Sequence, residues 1–456
     1  MNFEDTIAAI STPSGKGGIS VIRISGKDAV SVADKVFKNE YGKTLKNASS
    51  HTITHGYAVR SDGSVIDEVL CMVMLAPKSY TTEDTVEINC HGGMVSTREI
   101  LGAVLESGAR LADRGEFTKR AFLNGRMDLA EAESVIDIIN AGTKTAHNVS
   151  VHQLKGSLSA KIGEIREKLL GLISHLQVLI DFAEEDLEPL TDSEFTDGIR
   201  TCLAMTEKLI STFNRGRIIK DGVNTVIAGK PNVGKSSLLN LICGEERAIV
   251  TDIEGTTRDT IYENVTLGGV LLNLADTAGI RETSDTVEKI GVDRARNALS
   301  EADLVIFMAD AKRGLDENDD RIMAQLDGKK VIALINKSED GVLFDKSRLC
   351  FENIIEFSAK TGKGLDELEN KVSQMFSLGE IDKNDDAVIT NVRHRDALAK
   401  AKEALSSALC AIESGIEANM TFIDIENAIS ALGEITGQTV AEEIVDRIFH
   451  TFCVGK

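Results

Sequence analysis

The feature of this sequence that most constrains its fold is a glycine-rich phosphate-binding loop. Residues 229–236 read GKPNVGKS and match the pattern G-x-x-x-x-G-K-[ST]. An apolar, strand-like run precedes the loop at 223–228, and a helix-like run follows it at 237–242. In that setting glycines let backbone N–H groups surround phosphates, and the helix N-terminus adds its dipole. The loop therefore predicts a nucleotide-binding domain built on a parallel sheet.

Three further motifs point to a guanine nucleotide. DTAG at 276–279, NKSE at 336–339 and SAK at 358–360 each follow a strand-like run. The carboxyl ends of parallel strands are where such sheets bind ligands. Strands alternate with helices across 221–379, so we expect a P-loop GTPase domain of Ras-like fold there.

Within these motifs, each residue type suits one part of a magnesium nucleotide. Lys235 supplies charge to the phosphates, the Ser236 hydroxyl suits Mg²⁺, and Asp276 suits Mg²⁺ through a water. Guanine-selective loops carry Asp where this chain has Glu339. Either selectivity for guanine is weaker here, or the loop shifts its register to the following Asp340.

The flanking sequence predicts an α/β plus α architecture. Residues 1–120 alternate short apolar runs with turn residues and predict a small α/β module. Apolar residues at helical spacing from Leu154 to Leu179 predict one long bundle helix within 121–220, and helical spacing returns at 380–456. We therefore expect a discontinuous helical-bundle domain, with the GTPase domain inserted into it.

Composition limits the partners and the compartment. The net charge of −21 disfavours broad coating of nucleic acid, so RNA contact would need a local basic patch or another protein. No apolar run reaches the roughly 18 residues that span a bilayer, and Met1–Asp5 has no basic signal region. Seven scattered cysteines without a C-x-x-C pair fit a reducing compartment. We expect a cytoplasmic protein with no membrane partner.

Two specific stretches carry a resemblance to a known family. EGTTRD at 254–259 and FCVGK at 452–456 resemble the MnmE (TrmE) family of tRNA-modification GTPases, and the resemblance covers the whole chain. It implies that the flavoprotein MnmG (GidA) is a partner in a heterotetramer and carries FAD. It also implies that the pair adds an aminomethyl or carboxymethylaminomethyl group to carbon 5 of the wobble uridine of certain tRNAs. The one-carbon unit would come from 5-formyl- or 5,10-methylene-tetrahydrofolate, bound by a folate-binding-like N-terminal module that also forms a homodimer.

The resemblance also assigns roles in GTP hydrolysis. Ile280 stands where many GTPases carry a water-orienting Gln, so another device is needed. By resemblance Glu288 is the catalytic group that positions water; otherwise it is a solvated acid. Mg²⁺ would be bound by Ser236 and Thr257. K⁺ would be bound by Asn232, Thr251, Ile253 and Thr256, and without K⁺ Asn232 is merely a turn residue. The complete set of expected GTP contacts is Asn232, Val233, Gly234, Lys235, Ser236, Ser237, Thr251, Asp252, Ile253, Glu254, Gly255, Thr256, Thr257, Asp276, Thr277, Ala278, Gly279, Asn336, Lys337, Glu339, Ser358, Ala359 and Lys360.

A second set of residues is implied outside the GTPase domain. The resemblance gives Arg23, Glu87, Arg126 and Lys456 as tetrahydrofolate contacts; from the residues alone, Arg23 and Glu87 would be an ordinary surface pair. Cys453 is a catalytic thiol by resemblance and a buried core cysteine by the alternative, while the residues after it do not suit prenylation. The alternative function is a ribosome-assembly switch GTPase, in which hydrolysis only times release.

Overall fold

The fold is described from a computed structural model. It describes residues 5–13, 15–181, 192–244, 262–275, 298–376 and 387–456. The chain forms two compact units. Unit 1 consists of Met1–Ile136, Gln153–Leu203 and Ala397–Lys456, and unit 2 consists of Asp137–His152 and Ala204–Asp396. The predicted domain boundaries after residues 120, 220 and 379 stay predictions. No helix in the described ranges combines the length and apolar character that a bilayer span requires.

Unit 1 contains a mainly antiparallel sheet. Its seven strands among the described residues run in the order β3-β4-β5-β6-β2-β1-β7. In β2 the core residues Ile22 and Ile24 flank Arg23, and in β6 Val86 and Ile88 flank Glu87. Because side chains alternate across a strand, both charged residues lie on the face away from that core. The strands are β1 Ile7–Ile10, β2 Ile19–Ser25, β3 Phe37–Lys38, β4 Thr52–Val59, β5 Val65–Met74, β6 Thr85–His91 and β7 Arg110–Leu111.

Helices complete unit 1. Helices α1 and α2 pack against the sheet, and α13 packs along α6. Within the helical spacing predicted at 380–456, the apolar stripe at 425–435 is confirmed, since Ile425, Leu432 and Ile435 are fully buried on α13. The helices that lie wholly in unit 1 are α1 Ala29–Lys35, α2 Met94–Glu106, α3 Glu116–Leu123, α6 Ser157–Asp181, α13 Phe422–Thr436 and α14 Glu442–Phe449.

The prediction of one long helix starting at Leu154 was wrong in one respect. Leu154 is the last residue of α5, which spans Lys144–Leu154, and α6 begins separately at Ser157. Gly156 between them has a φ of 82°, in the left-handed region that ends a helix. The apolar spacing continues across the break, so the sequence pattern alone gave no sign of it. From Leu158 to Leu172 the stripe is buried, as predicted.

Unit 2 contains a sheet that is parallel except for β9. Its six strands among the described residues run in the order β13-β12-β11-β8-β10-β9. Every residue of β11 and β12 is buried, as expected for parallel strands covered on both faces. Apolar runs at 223–228, 271–275, 304–308, 331–335 and 354–357 predict five strands, which are confirmed as β8, β10, β11, β12 and β13. The strands are β8 Val223–Ala228, β9 Tyr262–Leu267, β10 Val270–Ala275, β11 Leu304–Asp310, β12 Val331–Asn336 and β13 Asn353–Glu356.

The sequence reading missed β9. It pairs antiparallel with β10 through a two-residue turn, Gly268-Gly269, in which both residues have positive φ. Glycine pairs favour this hairpin turn because they adopt positive φ without a steric penalty.

The remaining helices are α4 Leu129–Asn140, α5 Lys144–Leu154, α7 Asp192–Ser211, α8 Phe213–Asp221, α9 Lys235–Ile242, α10 Glu317–Ala324, α11 Leu365–Met375 and α12 Val392–Glu413.

Candidate functional site

The phosphate-binding loop joins the end of β8 to the start of α9. Its backbone uses positive φ at Gly229, Asn232 and Gly234. A Cβ on Gly229 would come within 2.4 Å of the Met308 carbonyl oxygen, and one on Gly234 within 2.2 Å of Asn336 Nδ2. Both positions therefore require glycine for space as well as for conformation.

Lys235 lies against its own loop. Its Nζ donates hydrogen bonds to the carbonyls of Gly229 at 2.5 Å and Lys230 at 3.2 Å. Burial lowers the pKa of Lys235. Ser236 and Ser237, which follow at the N-terminus of α9, are exposed. The partly desolvated ammonium group of Lys235 suits phosphate oxygens, and the exposed hydroxyls suit a magnesium ion.

Asn336 connects three of the predicted motifs. Its Nδ2 donates to the Val233 carbonyl at 2.7 Å, and its Oδ1 accepts from the Ala359 backbone N–H at 2.9 Å. The side chain is only 2% exposed. The phosphate loop, the end of β12 and the loop after β13 are therefore held together by one buried amide.

Lys337 forms a second connection and involves a residue that the sequence reading missed. Its Nζ donates to Asp310 Oδ2 at 2.6 Å and to the Asn232 carbonyl at 3.0 Å. Burial alone would raise the pKa of Asp310, but the hydrogen bond from Lys337 leaves that pKa lowered. Asp310 ends β11, and an acid at the carboxyl end of a parallel strand was the signal that could have identified it.

Glu339 and Asp340 have different partners. The Glu339 carboxylate accepts a hydrogen bond from the Ser358 hydroxyl, which lowers the pKa of Glu339. Asp340 instead pairs with Lys312, with 2.5 Å between Oδ2 and Nζ. Glu339 is therefore the acid that faces the SAK motif, and Lys360 of that motif is exposed.

Several predicted site residues lie outside the described residues. They include the expected water-positioning Glu288 and the expected Mg²⁺ ligand Thr257. The others are Thr251, Asp252, Ile253, Glu254, Gly255, Thr256, Asp276, Thr277, Ala278 and Gly279. In the described ranges, no group of three or more His, Cys, Asp or Glu residues has the arrangement of metal ligands.

The second predicted set meets in unit 1. Arg23 and Glu87 are direct partners between β2 and β6, and Arg23 Nε donates to Glu87 Oε1 at 2.8 Å. The Arg23 guanidinium lies over the rings of Tyr80 and Phe117, 4.9 and 5.5 Å from their centroids. Its buried Nη1 has no hydrogen-bond partner among the described residues. This unfilled donor fits a ligand with acceptor atoms.

Tyr80 links Arg23 to Arg126. The Arg126 guanidinium lies 4.6 Å from the centroid of the Tyr80 ring, and its Nη1 donates to the Tyr80 carbonyl at 2.7 Å. The Tyr80 hydroxyl is 2.9 Å from Thr118 Oγ1. Sequence reasoning missed Tyr80, because an aromatic residue in a turn carries no local signal that two arginines stack on it.

The C-terminal tail lies in the same region. Lys456 accepts a backbone hydrogen bond from Phe117 at 3.1 Å, and Gly455 accepts one from the Ser11 hydroxyl at 3.0 Å. Burial, and then the nearby charge of Arg23, lower the pKa of the Lys456 side chain. All four predicted folate contacts are therefore brought into one region by β2, β6, the turn between α3 and α4, and the tail.

Cys453 is exposed, so the alternative of a buried core cysteine was wrong. Its neighbour Phe452 is 1% exposed and fills the core instead, beside Phe449 at a centroid distance of 5.3 Å. The carbonyl of Cys453 accepts from the Gly115 N–H at 3.3 Å. Phe452 thus anchors the tail while the thiol faces outward.

The sequence matches two family models and is similar to known proteins over its full length. The family model "MnmE helical domain" matches residues 129–453, and "GTP-binding protein TrmE N-terminus" matches residues 6–126. The tRNA modification GTPase MnmE of Acetivibrio thermocellus is 47% identical, and the match covers 100% of both chains. The protein of that name from Clostridioides difficile is 46% identical over 100% of both chains. The one from Thermoanaerobacter pseudethanolicus is 47% identical over 99% of both. The chain therefore belongs to the MnmE family of tRNA modification GTPases.

Proposed function

We propose that this protein hydrolyses GTP while it acts with the flavoprotein MnmG on the wobble uridine of certain tRNAs. The pair would add an aminomethyl or carboxymethylaminomethyl group to carbon 5 of that base. The single observation that carries the proposal is the docking of the tail at Phe117: the Phe117 N–H donates to the Lys456 carbonyl at 3.1 Å, and the Arg23 guanidinium lies over the Phe117 ring. The docked tail lies in the region of the Arg23–Glu87 pair, and this candidate ligand site is separate from the phosphate loop.

Tetrahydrofolate is the ligand that this second site fits. When bound, tetrahydrofolate supplies the one-carbon unit. The Glu87 carboxylate would accept N–H groups from the pterin amide edge, and the unpartnered Nη1 of Arg23 would donate to a carbonyl. Arg126 and Lys456 add positive charge for the glutamate carboxylates. The exposed thiol of Cys453 would be the catalytic group at this site.

The GTPase part of the proposal is supported by the phosphate loop. Lys235 would exchange its two carbonyl acceptors for phosphate oxygens, while Ser236 and Thr257 would bind Mg²⁺. Asn232, Thr251, Ile253 and Thr256 would bind K⁺, whose charge offsets charge that develops on the phosphates. Glu288 would position the attacking water. Of these K⁺ ligands, Asn232 is the one within the described residues, and its side chain is exposed.

The wider assembly is also part of the proposal. We place a folate-binding and dimerising module at 1–120, helical segments at 121–220 and 380–456, and the GTPase domain at 221–379. Two copies would pair through their N-terminal modules and bind two copies of MnmG, which carries the FAD. The setting would be the cytoplasm. The net charge of −21 supports a division of labour in which the partner makes most contacts to tRNA.

Nucleoside analysis of tRNA tests the proposal. Cells that lack the protein should lose the modified wobble uridine, and the wild-type chain should restore it. Glu87→Gln keeps the side chain's shape but removes the charge, so it should fail to restore the modification while GTP hydrolysis continues. Arg60→Ala removes an exposed ion pair with Glu99 in the same module and serves as the matched control. Normal wobble uridines in cells without the protein would contradict the proposal.

A further inference from the structure

A cleft of about 340 Å³ lies within unit 1, and its lining residues Gly125 and Met127 flank the proposed folate contact Arg126. It is formed by the turn between α3 and α4, the first half of α6 and the C-terminal end of α13. Phe122 and Ile162 provide apolar walls, and Asp128 and Gln438 add polar groups. Volumes of this size are at the lower end of those that bind small molecules.

Two hydroxyl groups that line the cleft are unsatisfied. Ser159 Oγ and Thr436 Oγ1 are both buried and have no hydrogen-bond partner in the described part of the chain. Thr436 is 8% exposed. Buried polar groups nearly always have a partner, because leaving one unpaired costs free energy. A ligand with polar atoms at these positions would supply the missing hydrogen bonds.

The amide of Gln438 has a fixed orientation. Arg166 donates from Nη1 to Gln438 Oε1, and from Nε to the Ile429 carbonyl at 3.3 Å. Because a guanidinium group only donates, the amide must present its oxygen to Arg166. Its NH₂ group is then directed elsewhere and adds a donor to the two hydroxyls.

Charge and shape narrow the ligand class. Arg166 and Asp128 both line the cleft, so their formal charges cancel and a strongly anionic ligand gains little. Asp128 can accept a hydrogen bond, while Ser159, Thr436 and Gln438 can donate. Apolar walls beside such a set suit a flat, uncharged ring that carries carbonyl acceptors and an N–H donor. Unpaired RNA bases are recognised in this way, by packing on an aromatic ring and hydrogen bonds to their edges.

We propose that this cleft binds an unpaired pyrimidine base of RNA, with preference for uracil. The edge of uracil alternates acceptor, donor and acceptor, which matches hydroxyl or amide donors around one carboxylate. The inference rests on the proposed function, since it takes RNA as the substrate. The cleft also adjoins the tail: the Phe122 ring lies 6.2 Å from the Phe449 ring, which contacts Phe452 beside Cys453.

Binding of the full chain to an RNA stem-loop tests the cleft directly. The probes are three stem-loops that carry uridine, cytidine or an abasic residue at one unpaired loop position. We expect about tenfold weaker binding of the abasic probe, a loss typical of one stacked base, and intermediate binding of the cytidine probe. Equal affinity for all three probes would overturn the inference.

Two glycines of α6 provide a matched pair of variants. A Cβ on Gly163, which lines the cleft, or on Gly171 would meet no atom within 4 Å. Leucine also favours helix more than glycine, so neither substitution should weaken folding. Gly163→Leu should fill the cleft and remove the difference between the uridine and abasic probes, whereas Gly171→Leu should preserve it. Persistence of the difference in Gly163→Leu would refute the site.

Thr436→Val tests the hydrogen bonding at nearly constant volume. It should reduce the preference for uridine over cytidine while leaving GTP hydrolysis unchanged. If Gly163→Leu abolished tetrahydrofolate binding and kept the RNA preference, the cleft would be a folate subsite and the inference would fail. A chain that modifies tRNA but binds all three probes equally would retain the proposed function and lose only this inference.

Discussion

The side-chain amide of Asn336 donates to the backbone carbonyl of Val233 across 2.7 Å, between the end of β12 and the phosphate loop. The same amide accepts from the N–H of Ala359, in the loop after β13. One buried side chain thus connects three loops that are distant in sequence, and the Lys337 hydrogen bond to the Asn232 carbonyl adds a second connection. These hydrogen bonds between protein groups help to position the three loops relative to one another.

Replacement of Asn336 should separate this scaffold role from nucleotide contact. Asn336→Ala leaves the Val233 carbonyl and the Ala359 N–H without their partner, so we expect a loss of about 2–3 kcal/mol in the free energy of unfolding. Asn336→Asp keeps the acceptor for the Ala359 N–H but turns the donor into a second acceptor facing the Val233 carbonyl, so it disrupts the Val233 bond and should be at least as destabilising. Denaturant unfolding without nucleotide measures both variants. Unchanged stability of Asn336→Ala would show that the three loops are held by other contacts.

Glu339 and Asp340 should differ in their effect on nucleotide binding. Glu339 contacts Ser358, whereas Asp340 pairs with Lys312. We expect Glu339→Gln to weaken GTP binding at least tenfold, since a charged acceptor for the guanine N–H groups is lost. Asp340→Asn, the matched control, should change affinity less than threefold, because its ion pair is exposed. The reverse order would mean that the loop uses Asp340 for the base.

The sequence predicted the motif-bearing strands because each is a continuous apolar run, typical of a parallel strand buried on both faces. It did not predict β9, in which the polar residues Glu263, Asn264 and Thr266 interrupt the apolar pattern at the sheet edge. Nor did it predict the break at Gly156, because apolar spacing continues through it. An edge strand with polar residues and a one-residue break both leave the spacing of the apolar residues nearly unchanged. Hydrophobic periodicity therefore does not detect them.

The candidate sites were predictable only in part, for a similar reason. The phosphate loop is a contiguous motif, and its residues were identified from spacing alone. The Asp310–Lys337 pair and the Tyr80–Arg126 stack join residues far apart in sequence, and no local pattern marks them. The meeting of Lys456 with Arg23 was expected only from the family resemblance. Contacts of this kind depend on tertiary folding.

GTP hydrolysis should depend on potassium. Asn232 has a φ of 66° and an exposed side chain in the middle of the phosphate loop, where a monovalent cation could approach the nucleotide. Replacing K⁺ with Na⁺ should slow turnover by at least tenfold. Asn232→Ala should remove the difference between the two salts. Equal rates of the wild-type chain in both salts would contradict the assignment.

As pH rises, tetrahydrofolate binding should begin to weaken at a lower pH than it would if Lys456 had the usual pKa of a lysine. The pKa of Lys456 is lowered, so its positive charge is lost before pH 10.5, the usual value. A carboxylate ligand needs the charged form, and its affinity should fall as pH rises through this lowered pKa. Lys456→Arg keeps its charge throughout and should abolish that fall. Calorimetric titrations between pH 7 and 10 measure the effect, and identical profiles for both chains would contradict it.

Replacement of the tail cysteine should abolish tRNA modification without loss of stability. Cys453 is exposed, so Cys453→Ser should change the free energy of unfolding by less than about 0.5 kcal/mol. A hydroxyl is a far poorer nucleophile than a thiolate, so a chemical role of the thiol would be lost. GTP turnover should be nearly unchanged, since the phosphate loop lies in unit 2 and Cys453 in unit 1.

Cys350→Ser is the matched control, because Cys350 is also exposed but lies in unit 2. It should retain modification, turnover and stability. Phe452→Ala provides the opposite case: it removes a buried ring and should cost about 3–5 kcal/mol, which would release the tail. Wobble-uridine content, GTP turnover and melting temperature should be measured for all three variants. Full modification by Cys453→Ser would show that the thiol is dispensable. If Phe452→Ala then lost modification, docking of the tail would be what the site requires.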